Sequence, residues 1–157
     1  MKTVAILVDV QNIYYTTRDV YQRHFDYNTL WAKVTDGRTV VGANAYAIAR
    51  SDDKQKQFHN ILRGIGFDVK LKPFIQRRDG SAKGDWDVGI ALDAIEMAEQ
   101  ADIVVILSGD GDFDLLVKRI QSRFNKEVEV YGVQNLTANS LIEAADRFIP
   151  IEDNLLL

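Results

Sequence analysis

The residues in this sequence best suited to chemistry are aspartates. Of its 23 acidic residues, 17 are Asp and six are Glu. Aspartate is a poor helix former favoured at caps and turns, and it is also a short, stiff oxygen ligand of the kind hard cations such as Mg²⁺ prefer. Capping accounts for most of the 17 but not for those that follow apolar runs. Asp9 ends the run Thr3 to Val8, and Asp110 follows Ile103 to Leu107 by way of Ser108-Gly109. Asp112 and Asp114 come shortly after, and Asp87 opens the most regular helical pattern in the chain.

These acids can meet only if the elements carrying them share an edge. Thr3–Val8 and Ile103–Leu107 are continuous apolar runs, the mark of strands buried on both faces. Further strands are predicted over 40–48, 67–71 and 128–133. Helices are predicted over 12–21, 29–34, 53–65, 87–100, 113–124 and 139–145. Within them, Phe58, Ile61, Leu62 and Ile65 form one stripe that ends at Gly66, and Val88, Ala91, Leu92, Ile95 and Ala98 form another. Strands alternating with helices imply an α/β domain, a three-layer α/β/α sandwich around a mainly parallel sheet of about five strands. With no repeat, linker or low-complexity tract, residues 1–157 read as a single domain.

Sites in open α/β sheets form beyond the carboxyl ends of the strands. Asp9 and Asp110 therefore belong on one edge. Asp112 and Asp114 begin the next helix there, and Asp87 starts a helix antiparallel to its neighbouring strands, which returns it to the same edge. Carboxylates so crowded repel one another and raise each other's pKa values. A divalent cation removes the conflict, and Mg²⁺ keeps open positions for substrate phosphate. Two such ions roughly 4 Å apart can clamp both oxygens of a phosphodiester displacement. Taken singly, Asp112 and Asp114 also suit a helix N-terminus, and Asp87 also suits an N-cap; their coincidence on one edge makes the case for a metal site.

Other chemistries are excluded. The Asp110–Asp114 run lacks the glycine and glutamate of a calcium loop, since those places hold Leu115 and Gln121. Neither a dinucleotide fingerprint nor a P-loop follows the first strand. There is no cysteine, hence no thiol nucleophile, zinc cluster or disulfide scaffold. His24 and His59 are expected on helix surfaces. Ser108 has no histidine base on its edge and is expected to hydrogen-bond the loop backbone or an aspartate.

Lys and Arg total 19, so the net charge is −4, and a nucleic acid could not be held by overall charge. No window offers the roughly 18 uncharged apolar residues of a membrane span. The six apolar residues before Asp9 are too few for a signal-peptide core, so the expected compartment is the cytoplasm.

Three boxes carry a family resemblance: Val8-Asp9-Val10-Gln11-Asn12; Lys83-Gly84-Asp85-Trp86-Asp87-Val88 with Ala91-Leu92-Asp93; and Ser108-Gly109-Asp110-Gly111-Asp112-Phe113. In order and spacing they resemble the NYN domain, a member of the PIN-like nuclease superfamily, in its LabA-like branch. The resemblance implies an α/β/α fold and metal-dependent phosphodiester hydrolysis, most often of RNA, by an endoribonuclease. It carries Asp9, Asp87, Asp110 and Asp112 over as catalytic and metal-binding residues for one or two Mg²⁺ or Mn²⁺ ions. Asn12 matches the polar residue that supports the first aspartate, and Asp114 is an additional acid of the same loop. The first box has Val10 where many relatives have glycine.

A nucleic acid partner, RNA before DNA, would need a guide to this acidic edge. The basic stretch Lys70, Lys72, Arg77, Arg78 and Lys83 leads to Asp87, and Arg50 ends a strand on the same edge. Phe74 could stack a base, whereas Trp86 is expected to pack. A solvated loop would explain the same charges. The rival function is a catalytically silent regulatory module that binds a protein or nucleotide and keeps the acidic edge. A dehalogenase-type phosphatase would need an acid at Gln11, and a receiver domain a lysine near Gly132-Val133-Gln134. The Leu155–Leu157 tail and the Tyr14-Tyr15 pair suit either a homo-oligomer or packing within the chain.

Overall fold

The computed structural model describes residues 1–49, 52–73, 75–76, 82–83 and 85–157. Its strands are β1 (Lys2–Asp9), β2 (Arg38–Ala49), β3 (Asp68–Pro73), β4 (Ile75–Gln76), β5 (Ala82–Lys83), β6 (Ile103–Leu107), β7 (Glu127–Gly132) and β8 (Arg147–Pro150). The helices are α1 (Val10–Tyr21), α2 (Tyr27–Thr35), α3 (Asp53–Ile65), α4 (Asp87–Ala98), α5 (Asp114–Phe124) and α6 (Asn139–Ala144). Six strands form one parallel sheet in the order β3-β2-β1-β6-β7-β8, while β4 and β5 make a separate antiparallel pair. Among the described residues the main sheet has six strands, in keeping with the about five expected.

The strand order explains how the edge is built. The chain runs outward from β1 to β2 and β3, then returns to the other side of β1 for β6, β7 and β8. The order reverses between β1 and β6, the place where the flanking helices change face and a crevice opens at the carboxyl ends. Val4–Val8 of β1 are fully buried, and Ile103–Leu107 of β6 nearly so. One face packs Val4, Ile6 and Val8 against Ile13, Leu30, Val34 and Leu62 of the first three helices. The opposite face packs Ala5 and Leu7 against Ile90 and Ala94 of α4 and Val117 and Ile120 of α5.

Aspartate does cap the helices. Asp9, Asp26 and Asp52 accept from backbone N–H groups in the first turns of α1, α2 and α3. Gly66 ends α3 at φ +138°, as its sequence position predicts.

Several expectations need correction. Strand β8 is absent from the sequence-based set because Arg147-Phe148-Ile149-Pro150 is a short edge strand whose proline has no N–H to offer. Inside the predicted loop after β3 lies the β4–β5 pair. His59 is not on the surface: it is buried on α3 with Nε2 unpartnered among the described residues, while Ile61, assigned to the buried stripe, is 56% exposed. His24 is exposed but lies beyond the end of α1, not on a helix. On α4 the inward side is Ile90, Ala94 and Ala98, whereas Val88 and Leu92 stand 71% and 60% exposed. Leu155 and Leu156 are buried against their own chain, with Leu156 bridged to Phe25, while Tyr14 and Tyr15 remain exposed. No helix among the described residues is long and apolar enough to cross a membrane.

Candidate metal centre at the carboxyl edge of the sheet

Asp9 is the last residue of β1 and the N-cap of α1, so strand and helix together fix its carboxylate. One oxygen accepts from the Asn12 N–H at 3.4 Å and the other from the Ser108 hydroxyl at 3.1 Å. Ser108 is fully buried and its Oγ also accepts from the Asp110 N–H at 3.2 Å. A single hydroxyl therefore ties the first acidic segment to the third, as the sequence suggested for Ser108. Asn12 supplies a second tie, its side-chain oxygen accepting from the Gly109 N–H at 2.9 Å. Gly109 is required there, since a Cβ would come within 2.7 Å of the Leu136 carbonyl.

Beyond Gly109 the chain makes a 3₁₀ turn over Gly111–Phe113, capped by Asp110, whose carboxylate accepts from the Asp112 N–H at 2.9 Å. The turn faces the first residue of α4. Asp87, Asp110 and Asp112 each present a carboxylate oxygen, and these oxygens all lie within 4.8 Å of one another. Asp87 and Asp110 are half-buried and Asp112 is exposed. That donor set, three hard oxygens with an open side, fits a Mg²⁺- or Mn²⁺-type cation.

Electrostatics give the same picture. Burial pushes the Asp87 carboxyl up to about 7, helped by a hydrogen bond shared with Asp110 and by the charges of Asp110, Asp85 and Asp9. Burial likewise raises Asp9 to about 6 against the opposing bonds from Asn12 and Ser108, with Asp110 and Asp85 adding repulsion. Asp9 thus stands outside the group of three while sharing its field. Nearby negative charge favours protons in the absence of a cation and favours a cation when one is supplied.

Asp85 is the acid that sequence reasoning missed. It repels both Asp9 and Asp87, and its carboxylate accepts from the Asp87 N–H at 3.4 Å. Its place two residues before Asp87, in the Lys-Gly box, was the available signal. Asp114 lies in the first turn of α5 and, among the described residues, outside the group of three. Of the basic guides, Lys72 is engaged within the chain. Its ammonium sits 4.5 Å from the centre of the Trp86 ring and donates to the Asp85 carbonyl at 3.0 Å. Lys70 pairs with Asp68 at 3.2 Å. Arg50, Phe74, Arg77 and Arg78, and the side chain of Lys83, lie outside the described residues.

The apolar stripe on α4 borders this centre. Val88, Ala91 and Leu92 of α4 face Leu115 and Leu116 of α5 across an open groove of about 370 Å³ that begins at Asp87 and Asp112.

The family model for the NYN domain matches residues 3–152, nearly the whole chain. The chain belongs to the NYN domain family. NYN domains have the PIN-like α/β fold, in agreement with the six-stranded parallel sheet flanked by helices. Among curated proteins, this NYN chain is 27% identical over 158 residues to the Low amplitude and bright protein LabA of Synechococcus elongatus, covering 96% of the chain and 84% of LabA. A crystal structure of a Vibrio parahaemolyticus protein of unknown function is 63% identical, with a TM-score of 0.95 over 99% of this chain and 96% of that one. A carbohydrate kinase from Agrobacterium tumefaciens shares 12% identity at a TM-score of 0.53, covering 94% of this chain and 60% of the kinase, a likeness of fold alone.

Proposed function

We propose that this NYN protein is a metal-dependent nuclease acting on RNA in preference to DNA, as an endoribonuclease with Mg²⁺ or Mn²⁺, and that it works in the cytoplasm as a single domain. The observation that carries the proposal is the meeting of Asp87, Asp110 and Asp112 oxygens within 4.8 Å. They meet at the sheet reversal of a chain whose family belongs to the PIN-like nucleases.

Asp87, Asp110 and Asp112 would hold the cation, with Asp9 behind them. Bound there, it would supply Lewis-acid activation of water and neutralise charge developing on a phosphodiester. The chain's own residues do the rest. Ser108 and Asn12 keep Asp9 and the Gly109–Asp110 backbone in one geometry. Asp112, exposed at the rim, would orient an attacking water or accept its proton. Asp87, with its carboxyl raised to about 7, is partly protonated near neutrality and would lose that proton with the site loaded.

The test is cleavage of a mixed panel of single-stranded and structured RNA and DNA with Mn²⁺, Mg²⁺ or EDTA, beside an Asp110→Asn variant. Cutting that needs metal and vanishes in the variant is the expected result. Neither cutting nor metal binding by calorimetry would refute the proposal and favour a silent binding module.

A further inference from the structure

Trp86 occupies the N-cap position of α4, where Ser, Thr, Asp or Asn would ordinarily satisfy the helix's free N–H groups, and its side chain makes no capping bond. The indole is turned the other way. Its Nε1–H donates to the Ala47 carbonyl of β2 at 2.8 Å, and its ring meets Tyr46 of β2 with centroids 5.3 Å apart. Along α4 the Cε3–Cζ3 edge of the ring abuts Gly89, where a Cβ would come within 2.7 Å of it. On its remaining side stands the Lys72 ammonium of β3, bonded to the carbonyl just before Trp86. Tyr46 grips the helix a second time, its hydroxyl donating to Asp93 at 2.7 Å while accepting from the Asn44 amide at 3.0 Å. Tyr46 is also the register partner of Asp9. Strands β2 and β3, which carry none of the clustered acids, thus converge on the residue preceding Asp87.

We propose that Trp86 is the positioning residue of the acidic centre: its indole clamps the first turn of α4 to β2 and so holds the Asp87 carboxylate within reach of Asp110 and Asp112. An N-cap side chain would fix the helix end only to itself. The indole instead fixes it to the strand beside β1, so the acids of two otherwise separate segments share one frame. Lys72 then acts as the outer half of the clamp, and Gly89 leaves the space into which the Cε3–Cζ3 edge of the ring fits against the helix.

This inference rests on the proposed metal centre, and the test separates the two. Mn²⁺ affinity is measured by calorimetry on the full chain and on Trp86→Ala, Trp86→Phe and Gly89→Ala, with melting curves to establish folding. Hydrogen exchange at the amides of residues 90–93, beginning with the Ile90 N–H bonded to the Trp86 carbonyl, is followed without metal. The expected loss of Mn²⁺ affinity is about tenfold or more for Trp86→Ala and smaller for Trp86→Phe, which keeps an aromatic ring, though a smaller one, and loses the N–H. Exchange at those amides rises in the same order. Gly89→Ala discriminates most sharply. Alanine is the better helix former, so simple helix stability predicts no loss, whereas a displaced indole predicts weaker Mn²⁺ binding.

Wild-type affinity in folded Trp86→Ala and Gly89→Ala, with exchange unchanged, would overturn the clamp. If Trp86→Ala does not fold, Trp86→Phe and Gly89→Ala decide by the same criteria. If the unaltered chain binds no Mn²⁺, the metal centre itself fails, and hydrogen exchange alone then decides whether the clamp exists.

Discussion

Replacing Asp9 by Asn removes a charge that the fold does not welcome, and the sign of the result separates an electrostatic role from a structural one. Asp9 holds its proton up to about pH 6, against 3.8 for the ordinary carboxyl. Between those values the folded chain carries more protons than the unfolded one, so stability falls as pH rises through the window, and the penalty is complete above it. A displacement from 3.8 to about 6 is worth about 3 kcal/mol. Asparagine caps a helix as well as aspartate does, so the α1 cap is retained. Its weaker bond with Ser108 returns about 1 kcal/mol. In EDTA near neutral pH, Asp9→Asn should therefore be more stable than the unaltered chain by about 2 kcal/mol, or roughly 4–8 °C in Tm. The gain should disappear as the buffer is taken down to about pH 4. Mn²⁺ should narrow the gap, because the neighbouring charge of Asp9 strengthens binding at the group of three and each chain gains stability in proportion to its own affinity. The assay is thermal and urea unfolding at several pH values, with and without Mn²⁺. A variant less stable than the unaltered chain in EDTA at neutral pH would refute the electrostatic account and leave Asp9 as a cap.

Other perturbations follow from the same geometry. Ser108→Ala removes the hydroxyl that joins Asp9 to the Asp110 backbone; Mn²⁺ affinity should fall about tenfold in calorimetry, with only a small change in melting temperature. Burial and Arg63 lower the His59 pKa, so acid protonates the unfolded chain first and stability is lost as pH falls through the ordinary histidine range. In urea melts His59→Leu should flatten that loss as pH falls through the ordinary histidine range. Leu107→Ala opens a hole in a fully buried strand and should cost about 2–5 kcal/mol in urea unfolding. Asp110→Asn should lower any metal-dependent cleavage by at least about 100-fold while leaving the circular dichroism spectrum unchanged.

The legible parts of the molecule are those where one physical demand dominates. β1 and β6 declare themselves because a strand buried on both faces must be apolar throughout, and β6 and α3 fall at the predicted residues. The acidic edge follows from where those strands end. What sequence patterning hides is competition between faces. α4 is apolar over most of its circumference, so its bulkiest stripe, Val88 and Leu92, reads as the inward side, while the sheet takes the side bearing Ile90, Ala94 and Ala98. The small side chains let α4 approach closely, as Gly42 of β2 does opposite Met97. His59 sits among polar neighbours in sequence, yet its place on α3 turns it inward beside Leu62. The ties of Lys72 and Trp86 are invisible for another reason: each partner lies on a different element, and no local spacing encodes the contact.

The hydrogen bond between Ser108 and Asp9 joins residues 99 positions apart, and this sets the time at which the acidic edge can exist. A ribosome makes about 5–20 residues each second, so about 5–20 s separate the emergence of Asp9 from that of Asp112. During that interval β1 lacks β6, its neighbour on one side, and Asp9 has neither Ser108 nor the Gly109–Asp112 turn beside it. A nascent chain still attached to its own message thus carries Asp9, and later Asp87, without the Ser108–Asp112 segment that completes the edge.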